Sequence, residues 1–294
     1  MSRYTIAFFI FALFFTFSCA GASEMQFTET FMPKNNLHLE DSFYNADISK
    51  VKADAILDSI KNIYTPIFEK NGLTLTIIND WDNSEVNAVA YQRGKNAYVK
   101  IYGGLIRRWE ITEDGMALVA CHEIGHHLGG FPLYDDIAWA SAEGNSDYFA
   151  THMCAKAIFK DPESVFEDSE DSNKSICLDD YADAMCVKMH PLQEGRDICC
   201  RTANAIESLV MLLGQSGSER FDTPSKKVVS RTSVRHPDAQ CRMDTMLQGA
   251  LCLVENTDDK IPWSEKEMRM KSCTRKHNFK VGNRPRCWFK PSKY

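Results

Sequence analysis

The chain of 294 residues has no excess of positive charge: 34 Lys and Arg stand against 40 Asp and Glu, a net charge of −6 at pH 7. Without a polybasic run, the attraction that would draw it to nucleic acid is missing. After residue 22 there is no uninterrupted apolar run near the ~20 residues needed to cross a bilayer, so no integral membrane anchor is expected there. Internal repeats are absent as well. What is left is one large domain, or a domain with an elaborate appendage.

The one long apolar run lies at the start. Residues 1–22 carry a single Arg, are almost wholly apolar from Ile6 to Phe17, and end in the small residues Ala20, Gly21 and Ala22. This is the pattern of a secretory signal peptide, with cleavage expected after Ala22. Cys19 leaves a lipid-anchored alternative open, although Thr16 stands where an apolar residue is expected three places earlier. Export to a periplasmic or extracellular space fits the cysteines. There are 11, of which ten remain after the signal and eight fall beyond residue 170. An even number in an oxidising compartment argues for disulfides, whose connectivity cannot be deduced from spacing. Cys121 is the expected exception, a small apolar thiol in a buried helix, and it would leave one other cysteine unpaired.

Residues 121–129 read Cys-His-Glu-Ile-Gly-His-His-Leu-Gly, an HExxH match at His122, Glu123 and His126. On a helix the two histidines lie one turn apart on one face, so both imidazoles can reach a single Zn²⁺ while Glu123 points at its open position. The flanks suit a buried helix: Met116, Leu118, Val119, Ala120 and Leu128 are apolar, and Thr112 with Glu113 and Asp114 reads as a cap and an acidic first turn. A catalytic zinc needs a third protein ligand. Glu143 and Asp147, at i and i+4 on a following helix, share a face. Glu143 can complete the ligand set while Asp147 holds a ligand histidine through its other ring N–H. His127, about 100° further round the helix, is read as a packing or surface residue.

Helical spacing also places Ile48, Val51, Ile56, Ile60, Ile63 and Ile67 on one side of a helix that Pro66 should end or kink. Residues 73–78, 87–91 and 96–102 read as strands of a small, mostly antiparallel sheet. Residues 161–180 are polar and acidic and read as a loop or insertion. Helical patterns resume at 181–189, 198–213 and 238–254. A basic tail from Asp258 should be pinned by Cys273 and Cys287.

HExxH followed by ExxxD on the next helix is the signature of the gluzincin peptidases. Residues 45–160 resemble the HtpX-like and CAAX-protease branch, through Asn87-Ala88-Val89-Ala90, the Arg93-Gly94-Lys95 turn and Gly103-Gly104-Leu105-Ile106. His236-Pro237 with Arg242 resembles that family's HPxxxxR segment, so residues 232–254 should return to the site. The resemblance implies an α+β fold, a mostly helical zincin-type metallopeptidase with a disulfide-rich helical C-terminal half. Its organisation would be a signal (1–22), a core bearing the zinc site (23–160) and a cysteine-rich helical region (161–294). One zinc per chain would be held by His122, His126 and Glu143, with Glu123 as general base. His236 is expected to serve as oxyanion donor or as a displaceable fourth ligand, with Tyr148 its rival as donor and Arg242 steadying the loop. The strand at Asn87, Ala88, Val89 and Ala90 is the expected edge for an extended or unfolded peptide substrate. No prenyl-protein substrate is implied, because the spanning helices of the family's membrane members are missing. The competing expectation is an exported scaffold or quality-control protein that keeps the zinc helix but binds partners through its cysteine-rich half.

Overall fold

The computed structural model describes residues 30–41, 48–135, 137–160, 176–214, 217–255 and 258–292. Residues 1–22, expected as a signal segment and including Cys19, and residues 161–175 of the expected acidic loop lie outside the described residues. The fold is α+β and about 48% helical, with a small, mostly antiparallel sheet.

Ser49 caps α1 (Lys50–Lys70) by accepting from the Lys52 N–H, and the helix buries Ala53, Ile56, Leu57, Ile60, Tyr64 and Phe68. Val51, expected on that face, is exposed. Pro66 does not stop the helix, which runs on to Lys70. An interior proline costs about 3 kcal/mol. Tyr64 and Phe68, buried on either side of it, offset this at roughly 1.5–3 kcal/mol for a large apolar side chain.

The main sheet has β1 (Thr74–Asp80), β2 (Ala88–Arg93) and β3 (Asn96–Tyr102) in the order β1-β3-β2. β2 and β3 form an antiparallel hairpin, turned at Gly94 with φ +57°, a conformation open to glycine at little cost. β1 lies parallel to β3. A second antiparallel pair joins β4 (Leu133–Tyr134) to β5 (Ile137–Ser141). The outer side of β2 is covered as well. Thr30 pairs antiparallel with Val89, His38 pairs with Glu85, and the Phe31 N–H donates to the Ala88 carbonyl at 3.0 Å.

After the short α2 (Gly103–Ile106), α3 (Glu113–Leu128) begins at the Thr112 cap and is buried from Asp114 to its end. It touches β2, β3, α1 and β5, then α4 (Glu143–Phe149) and, further along the chain, α7 (Gln193–Gly214). The single helix expected after residue 142 is α4, a π-helical stretch at Ala150–Cys154 and α5 (Ala155–Lys160). The C-terminal part adds α6 (Asp180–Met189), α8 (Ala239–Ala250) and α9 (Glu265–Met270). α8 packs on α4 and α7, so residues 232–254 do return to the core.

All ten cysteines after residue 22 are paired. Four bridges lie in the cysteine-rich part: Cys177–Cys200, Cys186–Cys199, Cys241–Cys287 and Cys252–Cys273. The last two pin the tail to α8 and the turn after it, as expected. Cys121 corrects the expectation of a free thiol, because it is bonded to Cys154. Helical spacing places Cys121 inside α3 but says nothing of its neighbour across the helix interface, which is the π-helical stretch. Replacing Cys121 and Cys154 together by alanine is expected to cost about 2–5 kcal/mol of stability, read as a lowered melting temperature. Non-reducing peptide mapping of the wild type should recover the Cys121–Cys154 crosslink, and alkylation of Cys121 in the unreduced native protein would contradict it.

Candidate metal centre

α3 and α4 can meet closely because Gly125 carries no side chain. A Cβ there would fall 2.9 Å from Ser146 Cα. This approach brings His122 and His126 to Glu143. Their ligand atoms lie within 4.8 Å of one another, so the three residues could hold a metal ion. His122 Nε2 is 3.2 Å from Glu143 Oε2, and His126 Nε2 is 3.6 Å from Glu143 Oε1. All three side chains are buried. His122 Nε2 and Glu143 Oε2 nonetheless make no hydrogen bond. Buried polar atoms that converge without bonding are costly unless something pairs them, and two imidazoles with a carboxylate suit a divalent cation.

The other ring nitrogens are committed, which fixes the tautomers. His122 Nδ1 donates to Asp147 Oδ1 at 2.8 Å, and His126 Nδ1 donates to the Ser141 carbonyl at 2.9 Å, with Ser146 Oγ at 3.0 Å. Both Nε2 atoms are thereby left as lone-pair donors toward Glu143. Asp147 is itself held by Arg242, through Nε to Oδ2 at 2.9 Å and Nη2 to Oδ1 at 2.8 Å. The third guanidinium nitrogen, Nη1, donates to the Phe31 carbonyl at 2.6 Å, and the group sits 4.6 Å from the Phe31 ring centroid. Phe31 in turn meets the His122 ring edge-on at 5.3 Å.

The remaining expected residues fall as follows. Glu123 is fully buried and its carboxylate has no side-chain hydrogen-bond partner, only the Ala90 main chain nearby. Burial pushes it up to about 8, against the opposing charge of His122 and with that of Glu143. A dication held by its neighbours would draw it back down. Without a cation, burial opposes a charge on His122 but Asp147 and Glu143 outweigh that and lift it to about 9, so a metal ion binding there displaces the Nε2 proton. Burial holds His126 down to about 3. Burial works against the charge of Asp147, yet Arg242 and His122 keep it below the usual carboxylate range.

His236 reaches the site, with Nε2 3.2 Å from Glu143 Oε2 and 2.7 Å from the Thr30 carbonyl, to which it donates. The loop before α8 also meets α4 directly, since the Glu143 N–H donates to the Val234 carbonyl. Tyr148 is not a rival donor here, because its hydroxyl is turned away to the Gly282 carbonyl at 2.7 Å. His127 is a packing residue, stacked on Trp139 at 4.7 Å with Nε2 at the Tyr98 carbonyl. The strand at Asn87, Ala88, Val89 and Ala90 is not the open edge expected. The chain's own residues 30–32 already use it: Thr30 pairs with Val89, Phe31 with the Ala88 carbonyl, and the Met32 N–H with Asn87 Oδ1 at 2.9 Å.

Three contributors carry no motif. Tyr134 on β4 donates its hydroxyl to Glu143 Oε1 at 3.0 Å. Ser141 acts through its main-chain carbonyl, which leaves no mark on residue type. Phe31 comes from a segment far upstream in the chain.

Comparison with protein-family models, with curated proteins and with solved structures found no match to this chain.

Asp147→Asn should lower metal affinity by about 10- to 100-fold, the usual effect of losing the group that orients a ligand histidine. Glu143→Ala should exceed tenfold. Competition with a chelating indicator dye measures both, and unchanged affinity in Glu143→Ala would remove that residue from the ligand set.

Proposed function

We propose that the chain is an exported zinc endopeptidase of the gluzincin kind. The observation that carries this reading is a buried carboxylate, Glu123, without a side-chain partner and set in the chain between two histidines whose Nε2 atoms face Glu143. A purely structural metal site would close its ligand shell and has no use for such a base. Two imidazoles and one carboxylate form a zinc donor set that leaves a coordination position for water or substrate. When bound, zinc would acidify a water and polarise the scissile carbonyl.

The chain's own groups supply the rest. Glu123 takes a proton from the attacking water and delivers it to the leaving amine. His236, with its N–H already directed at a peptide carbonyl, that of Thr30, donates to the oxyanion in the same manner. Tyr134 and the pair Asp147–Arg242 hold Glu143 and His122 in place. Residues 30–32 lie on β2 as an extended peptide would. A substrate strand takes the same main-chain positions once that segment moves aside.

The burial of Glu123 suits the competing reading, an exported scaffold that keeps the zinc helix and binds partners through its cysteine-rich half. Cleavage of an unfolded protein, measured together with zinc content, separates the two. Glu123→Gln should keep zinc and fold and lose about 10²- to 10⁴-fold in turnover. A wild type that binds zinc yet leaves the unfolded protein intact would favour the scaffold. His236→Ala should keep near-normal zinc and lower kcat by about 10²- to 10³-fold with little change in KM. Wild-type activity there would make His236 a turn residue, and raised activity an inhibitory ligand.

A further inference from the structure

The basic tail builds a second site away from the metal centre. Residues of α8, α9 and the segment after α9 line a cavity of about 460 Å³, within the size range of small-molecule pockets. Six cations line it: Arg269, Arg275, Lys276, Lys280, Arg284 and Arg286. Only two acids do so, and both are engaged. Glu265 accepts from Arg269 Nη2 at 2.6 Å and from the Ser292 N–H at 3.2 Å. Asp244 accepts from the Ser225 N–H at 2.7 Å and from Gln240 at 2.8 Å. Among the described residues, Arg269 alone of the six cations has a carboxylate partner.

Arg284 is the decisive member, because it is only 6% exposed. Its Nη1 donates to the Phe131 carbonyl at 3.2 Å and to Asn145 Oδ1 at 3.3 Å, and its guanidinium lies 4.0 Å from the Phe289 ring centroid. These are neutral partners. Burial holds the group down to about 10, although Tyr148 and the nearby Glu265 carboxylate, itself bonded to Arg269, oppose this. A guanidinium withdrawn from water in this way is costly unless an anion meets it. The rest of its planar fork has the shape that binds tetrahedral and carboxylate oxygens two at a time.

We propose that this cavity binds a ligand bearing a phosphate or sulfate group, gripped by Arg284 and surrounded by Arg275, Lys276, Lys280 and Arg286. The surplus of cations favours a multiply charged group over a single carboxylate. The site adjoins the helix of the metal centre. Asn145 lies two residues beyond Glu143, and the Trp288 ring packs so closely on Gly144 that a Cβ there would come within 2.3 Å of it. The proposal does not depend on the zinc reading, and its test reads neither zinc nor hydrolysis.

Isothermal titration calorimetry of the oxidised chain at constant ionic strength provides the test, with inorganic phosphate, inorganic pyrophosphate, a heparin-derived disaccharide, and acetate as the singly charged control. One site per chain is expected for the multiply charged probes, with acetate at least tenfold weaker. Thermal denaturation should shift upward with the same order of probes, since a ligand that binds only the folded state stabilises it. Arg284→Lys keeps the charge but loses the fork, and should weaken binding at least tenfold. Lys280→Gln, at the cavity wall, should weaken it several-fold with the melting temperature of the free protein unchanged. Tighter binding of the disaccharide than of phosphate assigns a sulfated glycan as the carrier, and the reverse order assigns a phosphorylated small molecule. No binding of any probe at millimolar concentration, or binding that both variants leave unaltered, would overturn the site.

Discussion

The carboxylate of Asp147 is fully buried and is shared between the His122 imidazole and the Arg242 guanidinium. Burial of this kind holds only while both partners are present, because an unpaired carboxylate in the interior is strongly destabilising. Three helices are therefore locked together at one point: α3 through His122, α4 through Asp147 and α8 through Arg242. Arg242 extends the lock to the N-terminal segment by way of the Phe31 carbonyl. The geometry of the candidate metal centre and the packing of the C-terminal half are thus one constraint. A change that shifts α8 turns the His122 ring.

The same arrangement explains why the site is closed. Residues 30–32 are held by β2, by Asn87, by His236 and by Arg242 at once. Each of those bonds is made to backbone, so the segment is retained for its main chain more than for its composition. Two side chains add to this: the Thr30 hydroxyl accepts from Asn87 Nδ2 at 2.9 Å, and the Phe31 ring fills the space beside His122. Access to Glu123 is then a matter of local displacement. Hydrogen bonds in the interior of this size are individually worth about 1 kcal/mol net, so several must be exchanged together for others of similar strength.

The parts of this design that are carried by spacing within one helix could be read from sequence. His122, Glu123 and His126, then Glu143 and Asp147, are i, i+1 and i+4 relations, and helical periodicity places them on a face without knowledge of the rest. The helices and the β2–β3 hairpin follow from local pattern for the same reason. The parts that failed depend on contacts between distant segments. Nothing in the local sequence of Cys121 reports Cys154, and nothing around Asn87 reports that residues 30–32 lie against it. Pro66 does not end α1, because the packing of Tyr64 and Phe68 on one side of the helix overrides local preference, and Val51 lies outside the buried face. Tyr134 and the Ser141 carbonyl have no signature at all, one being a lone aromatic in a short hairpin and the other a main-chain atom.

The five disulfides are arranged without a single crossing. Cys121–Cys154 closes first along the chain, Cys186–Cys199 nests inside Cys177–Cys200, and Cys252–Cys273 nests inside Cys241–Cys287. Their sequence separations run from 13 to 46 residues. A chain that oxidises as it emerges N-terminus first therefore never has to keep a cysteine reduced for a partner in a later group. Oxidation in order of emergence could complete each group before the following one appears. Within a group, order matters more: Cys199 and Cys200 are neighbours with different partners, and a chain that joined Cys177 to Cys199 would have to exchange that bond before α6 could dock on α7. The demand on a disulfide isomerase falls on that one pair of adjacent thiols.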